Sequence, residues 1–558
     1  MPVGSCRTIA RVAAVLATAM VSLAPMAIAP VAGASTAVTV PVPLLTVPPD
    51  GLRGHALWDS YYDLAPFGYE EQELFVSGTA VDSVGNGAPY TTRIIVTRPV
   101  DPARFNGTVL LDWVNVTAQF ENAVDTMLSR EMLMREGFAY VHVSAQGEGL
   151  CCLPLLTPKL WDPVRYASID HPGDAWAFDM FGQVAQAFRQ PQPSGGTDPM
   201  GALGIGSVRH VLAAGQSQSG ILLHDYIESW LPAHPEAVGV IDGFLVHGDV
   251  GKPKSFGPPL PVPVLQLLSD FEAVDDGIDP GSLDPNQRLW EIAGTSHADL
   301  FIGYQSIAGS GPRSQSDAAP VSRDGFQAII DRAGNYGALV DPLLLGCVAA
   351  GAAMPMHYAA SAAIHALNSW VGGAAPPAEG PRFAFAGGAL ARDSYGNAVG
   401  GIRLPPIDVP VASYVSTICG LGGITIPFTD QQIQSLYPTH ADYLATMASR
   451  ADAAVTAGFL LPDDAVDLIR RACAANVRWP AGQAPCAPYV PPAFGVPVAA
   501  PREDAPAVAA PAASASSERG ASTLPATGGQ LDVVAPALLL AAAFASRRLR
   551  RRTDDSAQ

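Results

Sequence analysis

The sequence predicts an α/β fold: an open, mostly parallel sheet with helices on both faces. Three observations carry this. From residue 109 to residue 293, apolar runs of strand length alternate with segments of helical spacing, the pattern of strands buried on both faces. Two β-rich stretches, 70–80 and 91–97, come first, on either side of the turn-rich 82–88, and predict an antiparallel opening. Finally, Gly215-Gln216-Ser217-Gln218-Ser219-Gly220 joins an apolar run, 208–214, to an apolar helix-like stretch, 221–231.

The elements follow in order. Residues 109–116 read as a buried strand, 127–136 as a helix ended by Gly137, and 138–144 as the next strand. Residues 174–189 carry Trp176, Met180, Phe181 and Val184 at helical spacing. The run 208–214 enters the Gly215–Gly220 turn, and 238–246, 262–268 and 289–293 are three further strands. Open sheets of this kind present reactive groups at the carboxyl ends of their strands.

Strand, sharp turn, helix is the setting of a nucleophile elbow, in which a serine is lifted clear of the sheet edge. The tight turn demands small residues two before and two after the serine. Gly215 meets the first demand, and Ser219 stands where glycine is usual. Ser217 is the candidate nucleophile. A serine needs a base, and the base an orienting carboxylate; on a fold of this kind the chain order is serine, acid, histidine. After 262–268 comes Ser269-Asp270-Phe271-Glu272, and after 289–293 comes Gly294-Thr295-Ser296-His297. His297 is the expected base, with His440 as its rival and His357 a lesser one. Glu272 is the expected acid, with Asp270 as alternative. Of two oxyanion donors, the Gln218 N–H follows from its place after the serine. The second is sought after residues 109–116, at Asn115, Val116 or Thr117.

With these residues placed, the chain resembles bacterial α/β-hydrolase-domain proteins. The similarity rests on Phe105-Asn106-Gly107-Thr108-Val109 running into Trp113-Val114-Asn115-Val116, on Val141-His142-Val143-Ser144-Ala145-Gln146, and on His171-Pro172-Gly173-Asp174. It continues through the elbow and 290–299 to Arg392-Asp393-Ser394-Tyr395-Gly396-Asn397, Gly400-Gly401-Ile402-Arg403 and 437–443, covering about residues 60–475. The resemblance implies the α/β-hydrolase fold and hydrolytic chemistry in general terms; it names no substrate. The body continues well past His297, so a helical cap is expected over 301–377 and an extension packed on the core over 378–487, after a core of 35–300. Arg392, Asp393 and Arg403 in that extension either frame the pocket or, the preferred reading, tie a loop by ion pairing.

The two ends read as addresses. Arg7 and Arg11, the apolar 12–29 and Ala32-Gly33-Ala34 form an export signal over 1–34. The Pro/Ala/Ser-rich 488–523 is a linker. Residues 524–558 combine Leu524-Pro525-Ala526-Thr527-Gly528, the apolar 533–545 and Arg547, Arg548, Arg550, Arg551 and Arg552. This resembles the LPXTG-type cell-wall sorting signal of Gram-positive bacteria. The resemblance implies a sortase cut between Thr527 and Gly528, attachment to peptidoglycan, and transient membrane retention through 533–545.

Formal charge is −19. Without 1–34 and 528–558 it becomes more acidic, with 25 basic and 48 acidic side chains, or about −23. Such a body repels nucleic-acid backbones. After export, Cys151, Cys152, Cys347, Cys419, Cys473 and Cys486 remain, an even number that suggests disulfides, with Cys473–Cys486 the favoured pair. No CxxC or His/Cys cluster appears, so neither metal nor cofactor is expected. The function expected is a wall-anchored serine hydrolase acting on a small-molecule or lipid carboxylic ester. An acyltransferase using the same triad, or a non-catalytic binding protein on the same fold, are the alternatives.

Overall fold

A computed structural model describes residues 39–495, except 152–156, 258, 276–280, 310, 334–350, 417, 475–478 and 480–481. The chain divides into units 1–38 and 39–558, and everything described belongs to the second. The segments expected to form the export signal, most of the linker and the sorting signal therefore lie outside the described residues. Among the described residues, no helix is long and apolar enough to cross a membrane.

Nine strands form one sheet: β1 (Leu44–Thr46), β2 (Tyr69–Val81), β3 (Gly87–Pro99), β4 (Thr108–Trp113), β5 (Ala139–Val143), β6 (His210–Gln216), β7 (Gly243–His247), β8 (Val264–Ser269) and β9 (Gln287–Ile292). Their spatial order is β1-β2-β3-β5-β4-β6-β7-β8-β9. The first three are antiparallel neighbours, β3 meets β5 antiparallel, and every pair from β5 to β9 is parallel. The expected antiparallel opening and parallel core are both present.

The chain steps from β4 to β5 on one side and then returns past β4 to β6 on the other. The crevice between the carboxyl ends of β4 and β6 is thus a topological switch point, where open sheets bind ligands. The strands reach it fully buried. Val109 and Leu111 join one core with Val211, Ala213, Phe244 and Val246; Leu110, between them, joins the other with Leu212, Leu245 and Leu265. Alternation by two sends neighbours to opposite faces, and both faces are covered, hence the unbroken apolar runs.

Helices α1 (Val124–Arg135), α2 (Ala177–Ala187) and α3 (Gln218–Asp225) connect the strands. Beyond β9 come α4 (Leu300–Gly309), α5 (Arg323–Ala333) and α6 (Met356–Val371). Here the structure corrects one part of the expected cap over 301–377, the stretch 356–371; 334–350 lie outside the described residues. Helix α6 belongs to the core: a Cβ on Gly243 of β7 would lie 2.8 Å from Val371 and 3.1 Å from Leu367. Thr108 at the start of β4 hydrogen-bonds Asn368 at 2.7 Å. An apolar helix folds onto a sheet face wherever that face is open, and composition alone does not separate it from a cap helix.

The extension joins the sheet edge. Ile402 N–H donates to Glu291 O at 2.6 Å and Ala293 N–H to Ile402 O at 3.0 Å, a short parallel bridge beside β9. Arg403 pairs with Asp393 and Asp408. Two helices, α7 (His440–Ala457) and α8 (Pro462–Ala474), follow, and Cys473 is disulfide-bonded to Cys486 with a Cα–Cα separation of 5.8 Å.

Candidate active site

Ser217 sits between the end of β6 and the start of α3 with φ 62° and ψ −121°. This backbone conformation is disfavoured for a side-chain-bearing residue by about 1–3 kcal/mol, and surrounding contacts must hold it. They do: the Ser217 N–H donates to His247 O on β7 at 2.9 Å, and Ile221 N–H closes the first helical turn onto Ser217 O at 2.8 Å.

The turn also explains how Ser219 is tolerated. Ser219 is fully buried, and its hydroxyl has no hydrogen-bond partner. The tightest approach falls one residue later: a Cβ on Gly220 would lie 2.4 Å from His247 O and 3.0 Å from Gly215 O. A Cβ on Gly215 would lie 2.9 Å from Ser219 O. Glycine is therefore needed at 215 and 220, while 219 has room for a hydroxymethyl group.

Ser217 Oγ lies 2.7 Å from His297 Nε2. His297 Nδ1 hydrogen-bonds Glu272 Oε1. Glu272 Oε2 in turn accepts the Ser269 N–H at 2.6 Å and the Ser269 hydroxyl. The three side chains are almost wholly enclosed, Ser217 being 5% exposed, His297 3% and Glu272 1%. Burial pushes the Glu272 carboxyl up, but the His297 charge and the hydrogen bonds from His297 and Ser269 outweigh it and leave it at about 2. Glu272 is thus a carboxylate at any working pH, and it sets His297 with a proton on Nδ1 and a lone pair on Nε2 toward the serine.

The alternatives lie elsewhere. Asp270, also at the end of β8, accepts the Gly294 N–H at 2.8 Å and pairs with Arg392 at 2.9 Å, so its carboxylate braces the His297 loop from behind. His440 opens α7, accepts the Ala484 N–H on Nδ1 at 2.9 Å and packs on Trp479 with ring centroids 4.7 Å apart. His357 stacks on Phe301 at 4.1 Å, and burial pushes its pKa down to about 3. Each of these rings is engaged by partners other than Ser217.

The oxyanion loop needs one correction. The Asn115 N–H donates to Asn122 O at 2.7 Å, and Asn122 N–H returns to Asn115 O at 2.9 Å. The Thr117 N–H donates to Asn115 Oδ1 at 2.9 Å. Neither amide is free for an oxyanion, because the loop closes on itself to satisfy its own buried polar groups. Among the described residues, Val116 N–H has no acceptor. Gln218 N–H, in the first turn of α3, has no carbonyl of its own helix to reach.

Sequence reasoning missed three supporting groups. Gln216 donates from Nε2 to His297 O at 2.9 Å, which pins the histidine loop to the elbow. Asn115 donates from Nδ2 to Gln216 O at 3.0 Å, and Thr117 Oγ1 donates to Gln218 Oε1 at 3.2 Å, tying the loop after β4 to the same turn. The signal was Gln216 itself, a polar residue inside the elbow beside the serine. Among the described residues, no group of His, Cys, Asp and Glu could hold a metal ion.

Among solved structures, the esterase Est22 is 11% identical, with a TM-score of 0.26 over 49% of this chain and 84% of that one. A Pyrococcus furiosus esterase is 8% identical, with a TM-score of 0.23 over 41% and 85%. A prolyl endopeptidase is 12% identical, with a TM-score of 0.21 over 46% of this chain and 34% of that one. The match thus spans about a third of the endopeptidase's length. No curated protein matches the chain. The family model described as alpha/beta hydrolase domain matches residues 38–470, most of the chain, and the protein belongs to that family.

Proposed function

We propose that this protein is a serine hydrolase that cleaves carboxylic esters through an acyl-enzyme on Ser217. One observation carries the reading: the unbroken relay from Ser217 Oγ through both nitrogens of His297 to Glu272. As Ser217 Oγ attacks the ester carbonyl, His297 Nε2 takes its proton. The imidazolium that forms faces a carboxylate already ionised, so no proton has to move onto Glu272. The carbonyl oxygen becomes an oxyanion held by Gln218 N–H, with Val116 N–H as the second donor, at the positive end of α3. His297 then gives its proton to the departing alcohol. Water then attacks the acyl-enzyme carbonyl, giving its proton to His297 Nε2; the bond to Ser217 Oγ breaks, the carboxylic acid leaves, and His297 returns the proton to Ser217. Burial of all three side chains supports the reading, since hydrogen bonds to developing charge strengthen where water is excluded.

The same proposal places the enzyme outside the cell, joined to peptidoglycan through Thr527 after a sortase cut at Thr527–Gly528. Its support is the three-part sorting pattern of 524–558 together with the export pattern of 1–34. Two experiments test the proposal. A panel of chromogenic esters of graded acyl length should be turned over by the wild type and not by folded Ser217→Ala; equal turnover by both rejects it. In a Gram-positive host, Thr527→Ala should move the protein from the wall fraction to the medium or membrane; retention in the wall rejects the anchoring.

A further inference from the structure

Behind the loop after β4 lies a polar chamber, bounded by α1, β5, α4 and residues 58–62. Its volume is about 60 Å³ as traced by water centres, several times the roughly 10–15 Å³ that one water requires. Arg130 of α1 lines it and is 7% exposed. The rings of Tyr61 and Tyr62 flank its guanidinium, with centroids 5.4 and 5.3 Å from Cζ. Among the described residues no carboxylate pairs with Arg130, and its enclosed Nε has no acceptor.

Two further unsatisfied groups on the lining are donors, while Glu121 Oε1 is an unsatisfied acceptor and Thr126 Oγ1 and His142 Nε2 serve as either. Gln305 Nε2 on α4 is enclosed without a partner, because its Oε1 is occupied by the Tyr61 hydroxyl at 2.5 Å. Trp58 Nε1 also lacks an acceptor. The acids on the lining pair with other cations: Glu121 through Oε2 with Arg93, its Oε1 having no partner, and Asp59 with Arg313 and His55. Glu71 and Asp112, acids whose charges act with that of Arg130, are held by other groups: Glu71 turns its oxygens to Ser60 and Thr97, and Asp112 Oδ2 accepts the Thr126 N–H. A buried guanidinium without a counter-charge is strongly unfavourable, and a planar acceptor of opposite charge removes the penalty.

We propose that this chamber binds a small carboxylate, its two oxygens bridging the Arg130 guanidinium and the N–H groups of Gln305 and Trp58. The size fits a two- to four-carbon acid, either free or as the far end of an acyl chain. The chamber is linked to the candidate active site by hydrogen bonds. Asn122 lines it, pairs with Asn115 through both backbone groups, and Asn115 Nδ2 holds Gln216 O beside Ser217.

The test uses the full chain and trifluoroacetate as a fluorine NMR probe. Its line should broaden on adding protein and sharpen again with acetate but not with neutral, isosteric acetamide. Arg130→Met should weaken the probe at least roughly tenfold, as loss of a charge-assisted pair does. Trp58→Phe, a milder change, should weaken it severalfold if Arg130→Met does not fold. No broadening, equal competition by acetamide, or full broadening in folded Arg130→Met overturns the proposal. A second arm separates the sources: nitrophenyl hemisuccinate is compared with nitrophenyl butyrate. A preference for the charged ester that Arg130→Met abolishes assigns the site to the substrate's acyl end; no preference, with acetate still competing, assigns it to a free acid. This arm alone rests on the Ser217 reading, and absence of all ester turnover counts against that reading while the NMR result still decides the chamber.

Discussion

Replacing Gly220 by alanine should disable the elbow while changing one methyl group. The added Cβ would lie 2.4 Å from His247 O, so the two must part by close to an ångström to reach van der Waals contact. His247 O is the acceptor of the Ser217 N–H at 2.9 Å, so the displacement acts on the bond that holds Ser217. Overpacking of this kind destabilises by about 1–3 kcal/mol. A shift of the serine approaching 1 Å relative to His297 costs roughly a hundredfold in kcat. Gly206→Ala is the control, since a Cβ there meets nothing within 4 Å and its backbone is not left-handed. Urea unfolding and ester turnover are measured on both variants. Gly220→Ala should lose stability and most activity, and Gly206→Ala neither. Wild-type turnover in Gly220→Ala would refute the reasoning, because β7 would not then be fixing the position of Ser217.

Other expectations follow from the same site. Glu272→Gln keeps an acceptor for His297 Nδ1 but removes the charge that supports the imidazolium, so kcat should fall by about 10³–10⁴ with KM little changed, read from full kinetic curves. Ser219→Ala deletes a buried hydroxyl without a partner, and urea unfolding should show a protein as stable as the wild type or more stable by about 1 kcal/mol. Glu272 also shapes the acid limb of stability. Its pKa is lowered on folding from 4.5 to about 2, so its contribution is complete above pH 4.5 and is lost as pH falls through about 2. Unfolding free energy of the wild type should therefore drop more steeply with acid over that window than that of Glu272→Gln; parallel curves would contradict it.

Much of the fold was legible because its strands are buried on both faces, which leaves continuous apolar runs such as 109–111 and 244–246. The elbow was legible because steric demand restricts its composition. What the sequence left open depends on partners far along the chain. Asp270 and Glu272 stand two residues apart after the same strand, and Arg392, more than a hundred residues on, is what occupies Asp270. Asn115 looked like a free backbone donor until Asn122 folded back onto it. Helix α6 carries the alanine-rich surface of a packing helix, and only the empty face beside Gly243 shows where it lies. Arg130 gave no sign at all, since an arginine in a helix ordinarily reaches solvent.

The central claim is that Ser217 is an activated nucleophile. Labelling the folded protein with a fluorophosphonate and mapping the adduct by peptide mass spectrometry tests it most directly. The account predicts a single adduct on the peptide containing Ser217, greatly slowed in His297→Ala. An adduct on another serine, or unmodified Ser217 in protein that retains its native unfolding transition, would contradict it.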